Sequence, residues 1–197
     1  MKYVSLDLET TGIDPEKHQI LELGAILEDT NNLLSFEDIP KFNCIIEREE
    51  IVGHPIALRM NKRIIDILAD YANAKGEDRA LMAIKHNIIK EKHLVWSFFS
   101  WLDPFCQDSI INVAGKNYSS FDAKFLDKVQ GWKEAKTFER RILDPSSLFL
   151  DWKKDLRLPS LDECLSRAGI QKTVSHNATE DAWDVVQVLR KKYDLLF

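Results

Sequence analysis

The chain opens on an alternating run. In "KYVSLDLETTG" (2–12), Val4, Leu6 and Leu8 point one way and Tyr3, Ser5, Asp7 and Glu9 the other, the period of two that marks a β-strand. "QILELGAILED" (19–29) and "FNCIIE" (42–47) are two more apolar runs of strand length, and the short turns between the three predict a meander. From Pro55 to about Asp108 the pattern changes to helical spacing, with Ala, Leu, Ile and Lys recurring every 3.6 residues. "HLVWSFFSWL" (93–102) is the most apolar part of this stretch, and Asp103-Pro104 ends it. "SIINVAG" (109–115) predicts a buried fourth strand, then a helix from about Ser119 to Gln130, and "RRILDP" (140–145) a short fifth strand stopped by proline. "SLDECLSRAG" (160–169) predicts a helix capped by Ser160 and ended at Gly169, and a last helix runs from about Ala178 to Asp194. The order β-β-β, helices, β-α-β, helices predicts an α/β fold. It is a mixed five-stranded sheet flanked by helices, with a helical insertion over about 55–108 between strands three and four.

Length adds one constraint: 197 residues without repeat, linker or low-complexity tract predict a single domain over 1–197. A net charge of −5 removes any global basic field, so contact with a polyanion requires a local patch or bound cations. No apolar stretch approaches the roughly 20 residues of a membrane span, and the N-terminus lacks a signal-peptide core. No membrane partner is expected. Cys44, Cys106 and Cys164 are odd in number, widely spaced and form no CxxC pair, so they read as reduced core residues of a cytoplasmic protein.

Several acids break the pattern. The strand period sends Asp7 and Glu9 to one face with Cα atoms roughly 6.5–7 Å apart, close enough to share a cation; a solvated strand end is the alternative. In "SSFDAKFLDKV", Asp122 shares a helix face with Phe125, Leu126 and Val129, unless it closes a capping box with Ser119. In "SHNATEDAWDVVQVL", Asn177 can cap the helix with Glu180 reaching back, which leaves His176 outside. Asp181 then flanks the buried stripe of Ala178, Ala182, Val185 and Leu189, and Glu180 and Asp184 read as solvated.

"DLETTG", "GKNYSSFDAKFL" and "HNATEDA" resemble, in order, the three exonuclease motifs of the DEDDh family, and "QILELGAIL" resembles its second strand. That family comprises 3′–5′ exonucleases of the ribonuclease H-like fold, including polymerase III proofreading subunits, oligoribonuclease and ribonuclease T. The motifs span residues 7 to 181, with His176 five residues before Asp181. The resemblance implies that Asp7, Glu9, Asp122 and Asp181 ligate two divalent cations, Mg²⁺ or Mn²⁺, and that His176 is the general base. Four converging carboxylates carry about −4, which two such cations offset. Histidines titrate near neutrality, as a base at physiological pH requires. The implied reaction releases nucleoside 5′-monophosphates from the 3′ end of single-stranded DNA or RNA. A non-catalytic nucleic-acid-binding or interaction module on the same fold is the alternative, and its signature, a missing ligand, is not found in the motifs.

Substrate contacts rest on less. Leu8 and Thr10 resemble the positions that touch the terminal nucleotide, with core packing and turn formation as their other roles. Asn117 and Tyr118 stand at a strand end beside Asp122, where Tyr118 either stacks on a base or packs in the core. Asn117 lies five residues before Asp122, where proofreading members commonly have four. That spacing is closer to oligoribonuclease, whereas the last motif lacks the usual oligoribonuclease continuation. Lys133, Lys136, Arg140, Arg141, Lys153, Lys154 and Arg157 read as solvated surface, with a phosphate-tracking rim as the alternative. His18, His54, His86 and His93 read as surface residues. The helical segment around Trp96 and Trp101 is either core or an interface, for a homodimer or for a polymerase or processing partner.

Overall fold

Strand β1 (Lys2–Thr10) lies inside a mixed six-stranded sheet of order β4-β3-β2-β1-β5-β6. The computed structural model describes residues 1–105, 110–135, 138–172 and 175–193. The expected meander is formed by β1, β2 (Ile20–Asp29) and β3 (Lys41–Ile46), all antiparallel. The predicted helical insertion follows as α1 (Pro55–Met60), α2 (Lys62–Asn73) and α3 (Gly76–His86), and then as α4 (Leu94–Leu102). It is interrupted by a sixth strand absent from the sequence reading, β4 (Ile88–Ile89), parallel to β3. Two residues are too few to show an alternating period, so this edge strand leaves no pattern to read.

Strand β5 (Ile111–Ala114) runs parallel to β1. The helix expected over 119–130 contracts to α5 (Asp122–Leu126), because residues 117–121 form a turn in which the Ser120 and Phe121 N–H groups donate to the Asn117 carbonyl. Next come α6 (Trp132–Ala135), β6 (Phe138–Leu143) parallel to β5, α7 (Pro145–Leu148), α8 (Leu161–Arg167) and α9 (Ala178–Tyr193). The Ser160 cap of α8 is present as a full capping box with Glu163. Cys106, Lys136 and Asp194 lie outside the described residues, while Cys44 and Cys164 are buried and free.

The alternation along β1 divides two cores, since an interior strand is covered on both faces. Val4, Leu6 and Leu8 pack with Phe98, Leu102, Leu126 and Trp132. Tyr3 packs on the other face with Leu165, Ala182, Val185 and Leu189, and the Ser5 hydroxyl donates to the Ala182 carbonyl at 2.8 Å. Asp7 and Glu9 continue this second face and are therefore aimed at the first turn of α9. That turn is admitted by Gly24, the partner of Asp7 across β1–β2. A Cβ at Gly24 would stand 2.2 Å from the Ala178 carbonyl carbon and the Thr179 nitrogen, so a larger residue would push α9 off the sheet.

One surface expectation is corrected. Asp184 is fully buried, paired at 2.9 Å with the Lys172 ammonium. The chain at Lys172 covers this side of α9, so the buried surface of the helix is wider than its apolar stripe. Trp101 belongs to the core, tilted against Phe42 and Phe98, while Trp96 is exposed. Among the described residues, no helix is long and apolar enough to cross a membrane.

Candidate active site

Three distant segments meet at the end of β1. The Leu8 N–H donates to Asp122 Oδ1 at 3.1 Å, which anchors the start of α5 to the strand. This replaces the capping box with Ser119: the N-cap of α5 is Phe121, without a side-chain cap bond, and the Asp122 carboxylate turns inward and is 2% exposed. From the other side, α9 is capped by Asn177, whose side chain accepts from the Thr179 and Glu180 N–H groups, both at 3.2 Å. The same first turn presents Asp181, buried and accepting from the Ser175 N–H and hydroxyl, each at 3.2 Å. His176 is exposed and held at φ 53°, the left-handed region that non-glycine residues seldom occupy. One candidate ligand atom from each of Glu9, His176 and Asp181 falls within a mutual 4.8 Å.

The electrostatics show what such a convergence costs. Burial, together with the charges of Asp122, Glu9, Asp181 and Glu22, holds Asp7 well above the usual carboxylate range. Burial also pushes Glu9 to about 7, aided by Asp181 and Glu22 and opposed by the Asn61 hydrogen bond and Arg63. Asp122 rises to about 8 and Asp181 to about 6, burial again leading, against the hydrogen bonds each accepts. A carboxylate cluster of this kind retains protons unless cations replace them. Its hard oxygen donors fit Mg²⁺ or Mn²⁺.

A stability signature follows. Each folded-state pKa here lies above its unfolded value, so the associated stability is complete below pH of about 4 and is lost as pH rises through roughly 6 to 8. In chelator, Tm is expected to rise when pH is lowered from about 8.5 to 6, by an amount on the order of 2–4 kcal/mol, or roughly 5–10 °C. Saturating Mn²⁺ should flatten that dependence. A chelated protein whose Tm is level or falls over this range, followed by calorimetry, would count against a strained carboxylate cluster.

Asp7, Glu9 and Asp181 line one end of a cleft of about 430 Å³ whose other walls include Leu8, Ile13, Ile56, Met60 and Phe121, while the buried Asp122 reaches the same strand through the Leu8 N–H. Leu8 and Thr10 line it, and Thr10 is fixed by donating its hydroxyl to the Gly12 carbonyl at 2.7 Å. The other two substrate candidates are not brought into it. Tyr118 is 6% exposed and packed in the core, where no base can stack on it. Asn117 is exposed at φ 60° and lines a neighbouring cavity with Lys116 and Arg157. Lys133, Arg140 and Arg141 are exposed but line none of this cleft.

Other residues enter that the sequence reading passed over. His18 and His54, read as surface residues, line the cleft; His54 also caps α1 by accepting from the Ile56 N–H. From the helical insertion, Asn61 donates to the Thr10 carbonyl at 3.0 Å. Glu22 stands opposite Glu9 across β1–β2 and is 1% exposed. It accepts from Arg63 at 2.6 Å, from Asn43 at 3.0 Å and from the Ala178 N–H at 3.3 Å. This fifth carboxylate is neutralised by a guanidinium and ties α9 to the sheet. Its signal was an acid inside the apolar run "ILELGAIL".

The sequence profile of the exonuclease family matches residues 4–189. The human mitochondrial oligoribonuclease is 25% identical over 190 residues, covering 96% of this chain and 70% of that protein. The oligoribonuclease of Marinobacter nauticus is 24% identical over 200 residues, covering 100% of this chain and 96% of the relative. Among solved structures, E. coli exonuclease I in complex with a dT13 oligonucleotide shares the fold with a TM-score of 0.61 at 16% identity. That match covers 100% of this chain, which spans 42% of the exonuclease I chain. With a profile reaching from β1 into α9 and the motif acids directed to one strand end, the chain belongs to the exonuclease family, as a DEDDh-type member of the ribonuclease H-like superfamily.

Proposed function

We propose that this protein is a 3′–5′ exonuclease that removes nucleoside 5′-monophosphates from short single strands. The observation that carries the reading is that Asp7, Glu9 and Asp181 line one cleft with His176, while the buried Asp122 is held to the same strand through the Leu8 N–H and raises Asp7 by its charge, a density of negative charge that divalent cations offset. In this reading the four carboxylates hold two Mg²⁺ or Mn²⁺ ions. When bound, such ions supply Lewis acidity at the scissile phosphate and compensate its developing charge. His176, exposed beside Glu9 and Asp181, accepts the proton of the attacking water. Leu8 and Thr10 seat the terminal nucleoside, and Ile13, Ile56 and Met60 offer apolar surface to its base and sugar. Asp122 is locked to that seat through the Leu8 N–H, so the reacting phosphate and the nucleoside wall keep a fixed relation.

The oligoribonuclease relatives support short RNA as substrate, and the dT13 held by E. coli exonuclease I supports single-stranded DNA on the same fold. The buried free thiols of Cys44 and Cys164 suit the reducing cytoplasm. One digestion panel tests the reading: 5′-labelled single-stranded RNA and DNA, their duplexes and dinucleotides, each with Mg²⁺, Mn²⁺ or chelator. Stepwise shortening from the 3′ end, release of 5′-monophosphates and loss of all products in chelator are expected. Shortening from the 5′ end, or no product from any strand with either metal, would overturn it.

A further inference from the structure

Between α7 and α8 the chain presents apolar side chains to solvent. Leu148, Trp152, Leu156 and Leu158 are 47%, 85%, 104% and 50% exposed. Interleaved with them are Lys153, Lys154 and Arg157, all exposed. The nearby acids are largely occupied. Asp155 is held by the Arg167 guanidinium, with Nη2 at 2.9 Å from Oδ1. Asp151 accepts from the Lys153 N–H at 3.0 Å and lies 3.6 Å from the Lys154 ammonium. Among the described residues, neither Lys153 nor Arg157 forms an ion pair.

This stretch is connected to the active-site cleft. Arg157 and Leu158 share a cavity of about 370 Å³ with Lys116 and Asn117. Asn117 opens the turn that closes at Phe121, whose N–H donates to the Asn117 carbonyl at 3.0 Å and whose side chain lines the cleft. This cavity, which Glu163 also lines, and the catalytic cleft therefore stand at the two ends of one turn.

We propose that residues 148–158, with Lys116, form a platform for the 5′-ward part of a single strand whose 3′ end occupies the cleft. Trp152 stacks on a base, and Lys116, Lys153 and Arg157 hold phosphates. This inference rests on the single-strand reading above and extends it to strands longer than the cleft holds. Single-strand sites combine cations that track the backbone with aromatic faces on which bases stack, and both are present here. Charge selects the occupant. In a protein of net charge −5 this stretch is locally basic, complementary to phosphodiesters. A second copy docked face to face would instead set Lys153, Lys154 and Arg157 against their own counterparts.

The test is anisotropy of a fluorescein-labelled thymidine oligonucleotide of about twelve residues, a length within the range of single-strand sites, titrated with the full chain in chelator so that nothing is cut. Trp152→Ala is expected to weaken binding by about 5- to 20-fold. Lys153→Ser and Arg157→Ser should each lower the log–log salt slope by about 0.7. Trp96→Ala, another exposed tryptophan, should alter neither. With Mg²⁺ present, Trp152→Ala should also lower the kcat/KM preference for the oligonucleotide over a dinucleotide by a similar factor. Unaltered affinity in Trp152→Ala would overturn the platform. So would a wild-type dimer that becomes monomeric in Trp152→Ala, since that marks a contact between copies. If the wild-type protein cuts no strand at all, the exonuclease reading fails, and the anisotropy still decides the platform.

Discussion

Asp7→Ala is expected to fold and to lose roughly 10³-fold or more of hydrolysis in Mg²⁺. Among the four carboxylates, Asp7 is the one raised by the charges of all three others, which places it at the electrostatic centre of the cluster. Its removal would take away one of the carboxylates that would hold the proposed ions and with it several kcal/mol of transition-state stabilisation, at tenfold in rate per about 1.4 kcal/mol. The same substitution relieves repulsion in the metal-free protein, so Tm in chelator should stay level or rise, unlike the fall expected from a core truncation. Single-turnover rates on a labelled strand, measured with Tm on the same preparation, separate the two. Wild-type turnover by folded Asp7→Ala would remove this residue from the mechanism.

His176→Ala is expected to lose roughly 10²–10⁴-fold in rate while still binding Mn²⁺, because the proposed base is removed and the four carboxylates are not. His176 sits in the left-handed backbone region, so an alanine there adds a conformational cost unrelated to proton transfer. His176→Asn controls for this, since asparagine tolerates that region but cannot act as the base. Both variants should be slow to a similar degree. Turnover at the wild-type level across pH 6 to 9 in either one would exclude His176 as the base.

The sequence made local order legible and left long-range pairing hidden. The period of two located β1, and Ser160 and Asn177 marked the starts of α8 and α9. Asp122 shows the limit of local reasoning. A serine three residues upstream suggested a capping box, whereas the carboxylate is taken by the N–H of Leu8, at a sequence separation of 114. Glu22 was passed over because its neutralising partner, Arg63, lies 41 residues away in a helix with no motif of its own. Asp184 looked solvated because helical spacing does not reveal that Lys172 will cover that side of α9. Asn117 and Tyr118 stood next to a motif acid, yet the turn after β5 sends one to a neighbouring cavity and the other into the core. The motif acids were legible because the motifs carry them at a strand end, a helix start and a helix first turn. The wall that faces them from α1 and α2 is built from ordinary helix residues, and it became visible only in the folded chain.

The most direct measurement is isothermal titration of the chelated protein with Mn²⁺ at pH 7.5, repeated in two buffers of different ionisation enthalpy. Saturable binding of two ions per chain is expected, with net proton release, because Glu9 near 7 and Asp122 near 8 still hold protons when the ions arrive. Asp7→Asn and Asp122→Asn should each lower the stoichiometry or the affinity. A flat titration, or binding that neither substitution alters, would contradict the claim that these carboxylates are a site built for divalent cations.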